Sequence, residues 1–103
     1  MIFVHRVINY GRDYNMFTED KGAIWAHMAS DTSDEELIAF GRRIGLKASW
    51  LQRAGTEYAH FDITRHKVEQ AQHAGARLVS VQDFVKYAVQ ARREAMRATK
   101  NQT

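Results

Sequence analysis

The apolar residues of this chain fall into short runs whose period changes along the sequence. Ile2-Phe3-Val4 and Val7-Ile8 open it with a segment rich in β-branched side chains, which predicts a strand. Gly, Asn and Asp between Asn9 and Asn15 break that segment, and residues 9–23 read as one long loop. The next run, Ile24 to Ala29, has a length that suits either a strand or a single helical turn. At Ser33 the period becomes helical. Leu37, Phe40 and Ile44 recur at intervals of three and four, Ser33 and Glu36 have capping-box spacing, and Gly45 stands where a C-terminal cap belongs.

Leu46 to Leu51, around Trp50, reads as a short strand or an extended connection. Arg53-Ala54-Gly55-Thr56 is a turn signal, and Tyr58 to Ile63 then alternates with period two. That pattern sets Tyr58, His60 and Asp62 on one strand face and Ala59, Phe61 and Ile63 on the other. Thr64 is placed to cap a second helix that buries Val68, Ala71 and Ala74 and ends at Gly75. Leu78 to Val81 is a further strand. Ser80 and Asp83 open a third helix with Phe84, Ala88, Ala91 and Ala95 in one stripe, running to about Thr99. Strands alternating with helices predict a small α/β domain of two or three layers, with an at least partly parallel sheet and about three helices.

A length of 103 residues bounds this to one domain, drawn as residues 1–91 with 92–103 as its basic helical end. The absence of Cys excludes disulfides, thiolate metal sites and thiol nucleophiles. No apolar run approaches the roughly 18 residues of a membrane span, and the N-terminus lacks a signal-peptide layout. A cytoplasmic protein without a membrane partner is expected. Arg92, Arg93, Arg97 and Lys100 against Glu94 account for the whole net charge of +3. Such an end suits the negative pole of a helix dipole, or a weak, sequence-independent contact with nucleic acid.

Chemistry concentrates in two clusters, Trp25 to Asp31 and Tyr58 to Arg65, both read as lying where strands pass into helices. His27, His60 and Asp62 are the candidate catalytic residues; Trp25, Ser30, Asp31 and Arg65 are candidate ligand contacts. Two imidazoles can exchange protons in phosphodiester chemistry, or imidazole and carboxylate together can hold a divalent metal that activates water. The plain alternative is a hydrogen-bonded His–Asp pair beside a helix cap. Arg65 would hold a phosphate at the start of the second helix. Arg42, Arg43, Lys47 and Arg53 surround Trp50, either as phosphate contacts beside a stacking platform or as a polar surface over a buried Trp. His66 and His73 are expected to be exposed, and His5 could face the same site.

His27-Met28-Ala29-Ser30-Asp31, Glu36-Leu37 with Phe40, Ile44-Gly45-Leu46, Trp50 with Gln52, His60-Phe61-Asp62-Ile63, Arg65 and Gly75-Ala76 together resemble family 4031 of the domains of unknown function, over about residues 25–81. The resemblance implies a short α/β domain often encoded in phage genomes. Relatives open with an aromatic-Val-Asp strand where this chain has Phe3-Val4-His5, so no acidic role carries over to His5. They often have Tyr where Phe61 stands, which excludes a phenol donor there. The expected function is binding of a phosphate-bearing small molecule such as a nucleotide, with hydrolysis by a phosphodiesterase-type or nucleotide-hydrolase-type activity as the further expectation, in a bacterial host. The rival is a non-enzymatic protein that blocks a host factor, or binds nucleic acid, through its third helix and basic end.

Overall fold

Alternation along one strand organises the molecule. The computed structural model describes residues 1–6, 8–9 and 24–101, so the expected loop at 9–23 lies, apart from Asn9, outside the described residues. Five strands form one mixed sheet: β1 (Ile2–His5), β2 (Ile8–Asn9), β3 (Ile24–Ser30), β4 (Phe61–Thr64) and β5 (Arg77–Val79). β3 is central. β1 and β2 follow each other along one of its edges and β4 lies along the other, all antiparallel to it. β5 pairs with β1 in parallel and supplies the expected parallel element.

Successive β3 side chains point to opposite faces. Ala26 and Met28 join Ile2, Val4, Phe61 and Ile63 on the face covered by helices α1 (Asp34–Arg43) and α2 (Arg65–His73). Leu37, Phe40, Ile44, Val68 and Ala71 complete that layer. Ala29 and Phe3 point the other way, against Phe84 and Ala88 of the C-terminal helix. This helix begins as α3 (Val81–Phe84), widens into a π-helical segment (Val85–Gln90) and continues as α4 (Ala91–Asn101). The result is a three-layer α/β domain.

Ser33 caps α1 by accepting the Glu36 N–H at 3.0 Å, and Ser80 caps α3 through the Asp83 N–H at 3.1 Å. The capping box is only half formed, because the Glu36 carboxylate accepts from the Ser30 hydroxyl and the Met1 ammonium. Thr64 precedes α2 without a side-chain cap. Gly41, inside α1, leaves room for a neighbouring ring: a Cβ there would lie 3.0 Å from Phe61 Cε2. That close approach offsets the roughly 1 kcal/mol that glycine costs a helix relative to alanine.

Three further expectations need correction. The Leu46–Leu51 segment holds a 3-10 turn (Ala48–Trp50), not a strand, and Trp50 is 51% exposed with Lys47 Nζ 5.7 Å from its ring centre. The stripe of the last helix does not run on through Ala91 and Ala95. The π-helical segment adds residues to the turn and shifts the phase, so that Arg92 is buried while Ala95 is exposed. The basic end is also docked: Arg92 donates to Asp34 at 2.7 Å, and Arg93 pairs with Glu57 at 3.1 Å.

Arg92→Ala would leave the Asp34 carboxylate without its buried partner, although the Gly55 N–H at 2.7 Å and the start of α1 still support it. We expect a loss of about 2–4 kcal/mol in urea unfolding, at and just below the low end of the roughly 3–5 kcal/mol for broken buried pairs. In an Asp34→Asn background the same substitution should cost about half as much or less.

Candidate functional site

The strand registers bring three polar side chains into one row on the helix-covered face opposite the main apolar layer. Val4 pairs with Met28 and Met28 with Phe61, so the next row across β1, β3 and β4 is His5, His27 and Asp62. His60, one residue before β4, is held by a bridge to Gln52. Its burial alternates as the sequence pattern required, with Ala59, Phe61 and Ile63 buried and Tyr58, His60 and Asp62 on the more open side.

Hydrogen bonds fix each of these groups. His5, 1% exposed, directs Nδ1 to the Arg6 carbonyl at 2.7 Å. Its Nε2 receives the His27 backbone N–H at 3.0 Å and lies 2.8 Å from His27 Nδ1. His60 Nδ1 meets the Tyr58 carbonyl at 2.8 Å. Asp62 Oδ2 accepts from Gln52 Nε2 at 2.6 Å. The remaining atoms converge: Asp62 Oδ1 is 3.1 Å from His27 Nε2 and 3.4 Å from His60 Nε2. His27, His60 and Asp62 each offer a ligand atom within 4.8 Å of the others, the one group of this kind among the described residues.

The cluster borders a cleft of about 230 Å³ between the sheet and the C-terminal helix, lined by His27, Ala29, Arg53, Tyr58, Ala59, His60, Phe84 and Val89. Phe84 stands edge-on to His5 at 5.0 Å, and His27 and His60 are T-shaped at 4.9 Å. Arg53 has a left-handed backbone, φ 57°, and its guanidinium lies 5.8 Å from the Tyr58 ring centre. Arg93 reaches the same ring and donates to the Tyr58 hydroxyl at 3.1 Å.

Of the residues expected at the site, His27, His60 and Asp62 come together and His5 joins them. Ser30 and Asp31 do not. Ser30 is buried at the far end of β3, accepting the Thr32 and Ser33 N–H groups, and Asp31 pairs with the Met1 ammonium at 3.0 Å. Arg65 is exposed at the start of α2 and does not line the cleft. The Trp25 side chain lies outside the described residues. The expectation failed because it placed both clusters at strand carboxyl ends, whereas β3 runs antiparallel and contributes its middle. Arg53, Phe84 and Val89 were missing from the expected site, and Tyr58 stood in the second cluster without a role; only the turn signal and the cations around Trp50 pointed towards Arg53.

A three-layer α/β domain with a His–His–Asp cluster on one sheet face is thus the class to which this chain conforms. It belongs to the family described as Protein of unknown function (DUF4031), whose model matches residues 13–91. That span includes every residue lining the cleft and leaves His5 outside. No curated protein and no solved structure matches the chain.

Burial lowers the His27 pKa below the usual histidine value, helped by His5 and His60 and opposed by Asp62. In chelator-treated protein, NMR should show His27 titrating below about 6.5, and lower still in Asp62→Asn. Because the folded value is depressed, the associated stability is present above about pH 6.5 and is lost as pH falls through the folded value. A His27 titration above 6.5 would contradict this.

Proposed function

We propose that the protein binds a small phosphate ester, of which a nucleotide is the natural example, in the cleft over His27 and His60 and hydrolyses it there. The observation that carries the reading is the placement of two imidazoles and one guanidinium around one small opening, with the Asp62 carboxylate 3.1 and 3.4 Å from the imidazole Nε2 atoms. At about 230 Å³ the cleft lies below the roughly 300–1,000 Å³ of drug-sized sites, so it suits one ring with one phosphoryl group better than a dinucleotide. Ala29, Ala59, Phe84 and Val89 offer apolar surface to the ring. Arg53 offers a planar fork of donors to the phosphoryl oxygens, the part the sequence had assigned to Arg65. Water attacks phosphorus, the ester P–O bond breaks, and the cluster takes the water's proton and returns one to the departing alkoxide. The products are phosphate and an alcohol. A cytoplasmic site of action goes with such a substrate; no helix among the described residues is long and apolar enough to cross a membrane.

A second reading, a non-enzymatic protein that blocks a host factor through the C-terminal helix, draws on the exposed Leu78, Val81, Val85 and Tyr87. Nucleic-acid binding through the basic end draws less support, because Arg92 and Arg93 are engaged within the chain.

Arg53→Gly separates function from stability, since glycine relieves the left-handed backbone while deleting the cation. With p-nitrophenyl phosphate, its bis ester and 5′-nucleotides in buffers containing divalent ions, we expect KM to rise about 10- to 100-fold with kcat little changed. Asp62→Asn and His60→Ala should lower kcat by about 10²–10⁴. Absence of binding and turnover for all of these esters, or an unchanged KM in Arg53→Gly, would refute the reading.

A further inference from the structure

We propose that His27 Nε2, His60 Nε2 and Asp62 Oδ1 are the three protein ligands of a divalent transition-metal ion bound beside the cleft. Any part for that ion in hydrolysis rests on the reading above; its binding does not.

The argument is an account of protons. The Arg6 carbonyl can only accept, so His5 carries a proton on Nδ1. The His27 backbone N–H can only donate, so His5 Nε2 presents a lone pair. His27 Nδ1, 2.8 Å from that lone pair, must then be the donor between the two rings. The Tyr58 carbonyl imposes the same tautomer on His60, with the proton on Nδ1. Both Nε2 atoms are left turned towards a carboxylate oxygen, and the other oxygen of that carboxylate is already occupied by Gln52. Three acceptors therefore face one another, and a cation between them resolves the repulsion.

A proton on one ring would be the smallest such cation. It would serve only one of the two nitrogens and leave the other lone pair facing the carboxylate, whereas an ion engages both at once. Ligands about 2.0–2.1 Å from a common ion, at angles between a right angle and the tetrahedral one, stand about 2.8–3.4 Å apart. Both nitrogen–oxygen separations fall in that interval, and the two nitrogens lie within 4.8 Å of each other. Two imidazoles and one carboxylate select zinc, manganese, iron or cobalt over calcium or magnesium, which take mainly oxygen. Ligating histidines characteristically donate their other N–H to a carbonyl or similar acceptor, as His60 does directly and His27 does through His5. His5 is thus a positioning residue, holding the His27 tautomer without touching the ion.

The test uses the full chain, stripped with a chelator and titrated calorimetrically with Mn²⁺, Co²⁺ and Zn²⁺, with the visible spectrum of the Co²⁺ form as a second readout. One ion should bind per chain and raise the melting temperature. Asp62→Asn should weaken binding at least 100-fold and change the Co²⁺ spectrum, with the fold checked by circular dichroism. His5→Phe should weaken it about 10- to 100-fold. A His66→Ala, His73→Ala double variant, which removes two exposed imidazoles of α2, should bind as the parent does. The proposal is overturned if none of the three ions binds at millimolar concentration, if Asp62→Asn binds unchanged, or if the α2 double variant abolishes binding. It is equally overturned if ¹⁵N NMR finds a proton on His27 Nε2 in protein saturated with the ion. Ion binding without turnover of phosphate esters would uphold this proposal and defeat the hydrolytic reading; turnover indifferent to the chelator would do the reverse.

Discussion

Everything in this molecule depends on β3 lying between β1 and β4 in one register. Because strand side chains alternate, the pairing that stacks Val4, Met28 and Phe61 into the apolar layer also aligns His5, His27 and Asp62 on the opposite face. A slip of one residue would carry imidazoles into the layer beneath α1 and α2 and turn Met28 towards the cleft. Apolar burial on one face therefore enforces polar alignment on the other. The core and the candidate site are two sides of a single constraint.

The two helical layers have different consequences. α1 and α2 seal their face with large side chains, and Gly41 allows the Phe61 ring to lie directly on α1. The C-terminal helix makes a smaller contact, through Phe3, Ala29, Phe84 and Ala88, and the cleft opens beside that contact. The cations at the end of the chain take part in shaping it. Arg92 reaches Asp34, which also receives the Gly55 N–H, and Arg93 reaches Glu57 and the Tyr58 hydroxyl. They join the last helix to the turn that carries Arg53 and Tyr58. The excess charge that looked like a solvated end or a nucleic-acid contact thus helps to hold the rim of the cleft.

Local patterns carried much of the architecture. Ser33 and Ser80 cap helices where their spacing placed them, and the period-two burial from Ala59 to Ile63 left His60 and Asp62 on the open side. Each of these features depends on groups within a few residues of one another: a hydroxyl meets an N–H three positions on, and alternate side chains leave opposite sides of a strand. The mistakes arose where such rules compete with distant groups. Glu36 left its capping partner for the Ser30 hydroxyl and the Met1 ammonium, and the π-helical segment changed which side of the last helix faced inward.

The sequence by itself determined the alternation of strands and helices, the layered α/β class, and the chemical character of the residues at His27, His60 and Asp62. Tertiary structure alone decided that those residues meet, that His5 stands behind them, that Arg53 and not Arg65 borders the cleft, and that Ser30 and Asp31 serve the far end of β3. The physical reason is that burial and propensity are properties of a segment, whereas strand direction and register are relations between segments. The antiparallel course of β3 reverses which of its residues neighbour the other strands, and no local period encodes that reversal.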